Sequence, residues 1–410
     1  MDGWSENSKN IHYVWDWKSE KPLKPLESYL NDVLNNSVVL DVLPSKGLEW
    51  EKTNQMDIGL EIGFLNNRYT LEFDYYNKQT KDLLLAKPLP GTAGSTRLEN
   101  IGEVENKGVD FNIEGIIINK NDLNWTFNAN VGINRNKLKK LNSNLDFQLG
   151  PSVGFSQAYP ILFMVDQPLG IYWGAETDGV YSSWEEANAS GIAGAAPGEI
   201  RYINHYVDLD DSGQPLEIQE INFDDYVKIG DPNPDFTYSI SNNFTYKNWD
   251  ANILFTGQKG GDLFWVDSWQ LSGLQKTTNI LNSSYANSWI APLTYQNGNY
   301  IYDESIGNLN SASHPGAMIE TGSRAISSDR NIFDGSFIRL KNINIGYNFD
   351  LKDGKNMRVY LAGQNLVVWT DYPGYDPEVR TYTKNPQKRG VDFGTYPGTR
   401  SLLLGLKLNY

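Results

Sequence analysis

Residues 47–85 read GLEWEKTNQMDIGLEIGFLNNRYTLEFDYYNKQTKDLLL, and two runs within them alternate with period two on either side of a turn at Asn66-Asn67. Met56, Ile58, Leu60, Ile62 and Phe64 share one face, with Asp57, Gly59, Glu61 and Gly63 on the other. After the turn, Tyr69, Leu71, Phe73 and Tyr75 oppose Thr70, Glu72 and Asp74. Side chains alternate sides along an extended backbone, so the pattern predicts a hairpin with one apolar and one polar face. Each run approaches the roughly 9 to 11 residues that a tilted strand needs to cross a bilayer.

The same pattern recurs along most of the chain. Val109, Phe111 and Ile113 oppose Asp110, Asn112 and Glu114; Trp125, Phe127, Ala129, Val131 and Ile133 oppose Thr126, Asn128, Asn130, Gly132 and Asn134. Phe236, Tyr238, Ile240, Phe244 and Tyr246 face away from Thr237, Ser239, Ser241, Asn243 and Thr245, and the chain closes with Leu402, Leu404, Leu406, Leu408 and Tyr410 in one phase. Ile338 and Leu340 are out of phase with Ile343, Ile345 and Tyr347, which predicts a bulge between them.

Alternation alone fits a soluble sandwich as well as a lipid-facing barrel, because each needs one apolar and one polar face. The connections separate the two. Short links at Asn66-Asn67, 119–123, Lys247-Asn248 and 350–356 alternate with long ones at 86–106, 139–159, 177–235, 257–335 and 370–400. Outer-membrane barrels have this order, with short periplasmic turns and long extracellular loops. Counting a weaker pair near 160–176 around Pro168-Leu169-Gly170, the reading gives about eleven strands, too few to close around loops of this size. Residues 1–46 stay unassigned. The fold class is therefore all-β, an antiparallel transmembrane barrel represented by part of its wall.

Composition agrees. Gly 37, Tyr 24 and Trp 12 suit turns and strands better than helices. No stretch reaches the about 18 consecutive apolar residues of a membrane helix, and a mean hydropathy of -0.49 is compatible with a barrel, where only alternate residues meet lipid. Lys+Arg 35 against Asp+Glu 50 leaves a net charge of -15, which disfavours nucleic acid as a partner. With no cysteine, and with His12, His205 and His314 far apart, neither a thiolate nor a zinc site is indicated.

Several strings resemble a known family. Gly47 to Leu85, ENIGEVENKGVDFNIEG (99–115), DQPLGIYWGAETDGVY (166–181), GDPNPDFTYSISNNFTYKNWD (230–250), FDGSFIRLKNINIGYNFD (333–350), RVYLAGQNLVVWTDYPGYDPEV (358–379) and YPGTRSLLLGLKLNY (396–410) are similar to the TonB-linked outer-membrane transporters of the SusC/RagA family. The resemblance implies the C-terminal half of a barrel of about 22 strands, covering residues 47–410. It further implies import of oligosaccharides or peptides with a SusD-like surface lipoprotein, energised by TonB. The signal peptide, plug and TonB-contacting segment find no counterpart in these residues, so TonB would be met through another part of the protein.

Two sets of candidate site residues follow. Asp208, Asp210 and Ser212, with Gly213 next, have the spacing of the first half of a calcium loop. The twelfth position is Gln219 rather than a carboxylate, so a solvated acidic turn is the competing reading. No other cofactor is indicated. Trp265, Trp269, Trp289, Tyr372 and Tyr375 are candidate cargo-stacking rings in the long loops, as are Trp173 and Trp184; such rings equally well pack a loop or sit at the interface. Two other functions compete: a soluble β-sandwich that binds glycans, and a β-rich glycoside hydrolase working with two carboxylates. No nucleophile motif or phosphate-binding loop points to an enzyme.

Overall fold

In the computed structural model, the described residues are 47–88, 96–141, 145–154, 159–205, 218–274, 279–303, 312–316, 326–351, 355–379 and 385–409, with short pieces at 15–16, 21–22, 24–30, 33–39, 42–43, 210, 307 and 381–382. Among the described residues nine long strands build the wall: β1 (Lys52–Phe64), β2 (Tyr69–Pro88), β3 (Thr96–Lys120), β4 (Leu123–Lys140), β5 (Pro234–Tyr246), β6 (Trp249–Gly260), β7 (Phe337–Asp350), β8 (Asn356–Trp369) and β9 (Ser401–Asn409). Each pairs antiparallel with its chain neighbours, so the sheet is an up-and-down meander from β1 to β9. The short Val42–Leu43 strand adds parallel to the start of β3. Among the described residues β1 and β9 each pair on one side only, and the sheet does not close.

Which face is covered decides between barrel and sandwich. In a sandwich the apolar phase would be buried under a second sheet. Here it is left open, in the interior strands as well as at the edges: Phe73 is 40% exposed, Ile240 41%, Ile345 41% and Leu361 52%. A contiguous apolar face of this extent belongs against lipid. Aromatic rings band it near the short turns, with Trp125 stacked on Phe244 at 5.3 Å, Trp249 edge-on to Tyr347 at 4.9 Å, and Phe64 on Tyr69 at 5.4 Å. A second band, near the long connections, includes the Phe236–Tyr238 and Phe255–Trp369 pairs. Two girdles flanking an apolar belt are the signature of an outer-membrane wall. Among the described residues no helix is long and apolar enough to cross a membrane.

The expected bulge is present. Leu340 pairs with Phe255 and Asn342 with Leu254, which leaves Lys341 as the extra residue and switches the outward phase of β7 at that point. Short and long connections alternate as expected. The link expected at 86–106 is shorter than that, because β2 runs on to Pro88 and β3 begins at Thr96. At 20 and 25 residues these strands outrun the bilayer and project beyond it.

One expected pair is not in the wall. Ile161–Met164 and Ile171–Gly174 do form a hairpin, but it belongs to a separate four-stranded sheet with Phe147–Leu149 and Val227–Gly230, while β4 pairs directly with β5. The reason is legible in the residues: the ILFM run is apolar at successive positions and only four residues long, so it is buried on both faces.

The buried apolar core lies at one end of the wall. Leu138, Leu141, Val153, Ile161, Phe163, Tyr172, Phe264, Val266, Trp269 and Val391 pack together where the long connections meet. A three-stranded sheet ties these connections to one another, with Asp262–Trp265 between Ile332–Asp334 and Val391–Asp392. The long connections thus fold into a cap over one mouth of the wall.

Candidate functional site

The inner face of the wall carries amides and hydroxyls interleaved with carboxylates, Glu61 lying opposite Glu72 and Asp74 opposite Asp110. Asn128 Nδ2 donates to Asn112 Oδ1 at 3.0 Å, Asn130 Nδ2 to Ser239 Oγ at 2.8 Å, and Asn252 Nδ2 to Asn243 Oδ1 at 2.7 Å. Each amide offers two donors and an acceptor, so one cross-strand bond leaves capacity for water or a passing solute. Towards the short turns, Arg358 holds Asp250 through two bonds, at 2.9 and 2.5 Å, and also donates to Asn344 Oδ1. A face of this kind lines an aqueous path, as barrel interiors do.

At the capped end the wall meets the 385–392 segment across a cavity of 330 Å3. Asn106, Asn134 and Asn136 come from the inward phase of β3 and β4, Asn233 from the connection into β5, and Lys388 and Arg389 from the opposite side. Tyr76 Oη donates to Asn134 Oδ1 at 2.9 Å, and Asn136 Nδ2 to Asn233 Oδ1 at 2.7 Å. A larger groove of 610 Å3, lined by Val131, Ile240, Ile338 and Trp369, lies on the outward phase and faces lipid, so it is off the cargo path.

Buried polar contacts hold the cap in place. Tyr172 is fully buried and donates its hydroxyl to the carbonyl oxygen of Arg389 at 2.9 Å. Tyr372 donates to Asp392 Oδ2 at 2.5 Å, and burial pushes both tyrosine hydroxyls well above the usual range, so both stay protonated donors. Burial likewise raises the Asp262 carboxyl, whose Oδ2 accepts the Asp231 N–H at 2.8 Å. Arg339, projecting inward from β7, pairs with Asp376 at 2.5 Å and Glu378 at 2.9 Å, both from the connection after β8.

The candidate rings divide. Trp265 sits edge-on between Phe333 and Tyr372, with centroids 5.5 and 6.0 Å apart, and Trp269 lies edge-on to Phe264 at 5.5 Å. Trp265, Trp269 and Tyr372 are all buried, so these three pack the cap and present no face to cargo. Trp289 is half-buried against Gly198, Trp173 is half-buried beside Phe223, and Trp184 and Tyr375 are exposed. Of the proposed calcium loop, Asp208 and Ser212 lie outside the described residues, as does Tyr410; Asp210 is exposed. Among the described residues no three His, Asp or Glu side chains gather as a metal site. The amide cavity and its two cations were not foreseen, because the residues that form it are spread from 106 to 389 and only the cap brings them together.

Known proteins resemble the chain in both sequence and shape. A family model described as TonB dependent receptor-like, beta-barrel matches residues 27–366, beginning inside the segment left unassigned above. TonB-dependent receptor P3 of Formosa agariphila is 35% identical over 430 residues, an alignment covering 98% of this chain and 40% of that protein. TonB-dependent receptor SusC of Bacteroides thetaiotaomicron is 28% identical over 389 residues, covering 89% of this chain and 32% of SusC. The chain therefore spans about a third to two fifths of the length of these curated relatives. The solved RagAB peptide transporter superposes with a TM-score of 0.69 at 22% identity, covering 94% of this chain and 38% of that one; at that identity the likeness speaks for the fold. With that model matched over most of its length, and with its strands, girdles and polar inner face laid out as such a barrel requires, this chain belongs to the TonB-dependent receptor-like β-barrel family of the outer membrane, alongside SusC.

Proposed function

We propose that the chain supplies wall and cap to an outer-membrane importer of oligosaccharides or peptides, energised through TonB and covered at its capped mouth by a SusD-like surface lipoprotein. The observation that carries this reading is the pairing of an amide-lined inner face with a cap folded from the long connections at one mouth. A polar lumen passes hydrophilic solutes, and a cap with its own packed core can select them before entry. Exposed rings at Trp184 and Tyr375 offer cargo or the lipoprotein a surface.

The apolar belt argues against the soluble sandwich, because a soluble protein would leave that face in water. The inner face does set carboxylates side by side, Glu61 opposite Glu72 and Asp74 opposite Asp110, so what weighs against the hydrolase reading is that the matching relatives are TonB-dependent receptors. The test is uptake by intact cells of labelled neutral oligosaccharides, anionic oligosaccharides and peptides, with the gene present, with it deleted, and with TonB deleted. Import of at least one class should need both proteins. Unchanged uptake of all three classes in both deletions would sink the proposal.

A further inference from the structure

The cap cavity sets two adjacent cations, Lys388 and Arg389, beside a group of amides. With Lys+Arg 35 against Asp+Glu 50, the protein is acidic, and among the described cap residues Arg201 pairs with Glu186 and Asp178, and Arg339 with Asp376. Lys388 and Arg389 differ. Among the described residues neither forms an ion pair with a carboxylate. The Lys388 ammonium lies 4.4 Å from the centroid of the Tyr382 ring, and Arg389 approaches only the amide oxygen of Asn233, at 3.5 Å. Burial lowers the Lys388 pKa, as expected for a cation that gives up water without gaining an anion.

The backbone that carries them is fixed. Tyr172 Oη bonds the Arg389 carbonyl, Phe264 N–H bonds the Gly390 carbonyl at 3.0 Å, and Val391 pairs with Phe264. Gly390 adopts φ +72°, and a Cβ there would meet Tyr172 Oη at 2.5 Å. Across the cavity, Asn106, Asn134 and Asn136 present amides that retain donor capacity, whereas the Asn233 amide is already occupied by Asp231, Leu169 and Asn136. Its 330 Å3 is at the small end of the roughly 300 to 1,000 Å3 range of ligand sites.

We propose that this cavity is a subsite for an anionic sugar residue, whose carboxylate or sulfate pairs with Lys388 and Arg389 while its hydroxyls bond the facing asparagines. Amides match sugar hydroxyls because both sides donate and accept. A guanidinium beside an ammonium matches a carboxylate or sulfate through charge-assisted bonds, about twice as strong as neutral ones. Anchoring the cation-bearing backbone in advance lowers the ordering cost of binding. The proposal rests on the import reading for its cargo path, and it adds a preference within that cargo.

The experiment uses the receptor polypeptide that carries this chain, purified in detergent, and calorimetry with three probes: a glucuronate-containing tetrasaccharide, its carboxyl-reduced neutral twin, and tetra-aspartate. The native protein should bind the uronate roughly tenfold more tightly than the neutral twin, about 1.4 kcal/mol. The Lys388→Gln, Arg389→Gln variant should lose that preference while still binding the neutral twin. An unchanged thermal midpoint and outer-membrane level would show that the variant is folded. Equal affinity for uronate and twin in the native protein, no binding of either, or a preference surviving in the variant would overturn the subsite. Tetra-aspartate binding as tightly as the uronate would reassign the cations to acidic peptides and overturn the sugar class. Uptake of neutral cargo by cells carrying the variant tests the import reading separately, since that uptake needs no anion preference.

Discussion

Tyr172 and Arg389, 217 residues apart in the chain, are joined by a hydrogen bond of 2.9 Å from a fully buried hydroxyl to a backbone carbonyl. It links the hairpin after β4 to the segment before β9, so one bond ties the first long cap connection to the last. Replacing Tyr172 with Phe keeps the ring and strands the carbonyl. An unpaired buried polar group costs about 1 to 3 kcal/mol, here charged to opening of the cap rather than to the wall. Trypsin cleavage after Lys388 or Arg389 should quicken roughly tenfold in the variant, with unchanged outer-membrane levels. Cleavage at the native rate would show that the bond does not hold the segment.

Arg339 and Asp376 are the second fastening, between the wall and the connection after β8. Both side chains are about 95% buried, at 4% and 5% exposure. Removing one partner of such a pair costs about 3 to 5 kcal/mol, because the other charge stays buried alone. In Arg339→Gln, hydrogen exchange of the amides at 375–379 should therefore rise sharply, whereas an Arg339→Met, Asp376→Leu double variant should recover much of the protection. Equal exchange in the single variant and the native protein would mean that the connection is held elsewhere.

The wall was legible in the sequence because lipid and lumen impose a two-residue period over whole strands; even the Lys341 bulge showed as a change of phase between Leu340 and Ile343. The cap was not. Ile161–Met164 and Asp262–Trp265 are short strands whose burial depends on what folds over them, and no local pattern tells Trp265 in a core from Trp184 in solvent. The same limit hid the cavity. Asn134 was readable as an inward residue, but its distant neighbours Lys388 and Arg389 had no periodic signal to mark them.

His314 gives the cap a pH dependence of defined sign. Burial, and the neighbouring Arg330, hold its pKa below the ordinary 6.5. As pH falls, the unfolded segment takes up a proton before the folded one does, so the local structure is fully stable above 6.5 and weakens as pH drops from there towards the folded value. The backbone bonds to watch are Trp289 N–H to His314 O at 2.9 Å and His314 N–H to Asn287 O at 3.0 Å. Exchange protection of the Trp289 amide should decline below pH 6.5 in the native protein and stay flat in His314→Gln. A decline of the same size in both would assign the effect to another group.

Leu404 lies mid-strand in β9 and is 75% exposed on the lipid phase. An arginine near the bilayer midplane costs about 2 to 4 kcal/mol. Leu404→Arg should lower the amount of receptor assembled in the outer membrane, while Ser401→Arg, at the strand end, should be tolerated better. Equal assembly of the two would argue that this face does not meet lipid.

Cysteine labelling on intact cells tests the central claim, that the sheet is a membrane wall with its long connections on the outside. Single cysteines at Trp184, Asn282 and Tyr375 sample three regions of the cap; Asp122 and Leu351 sample two short turns. These 410 residues contain no cysteine; in a receptor with any cysteine elsewhere replaced, a membrane-impermeant maleimide should label the first three in intact cells, and the last two only after the outer membrane is breached. Labelling of Asp122 or Leu351 in intact cells, with the cap positions protected, would contradict the account.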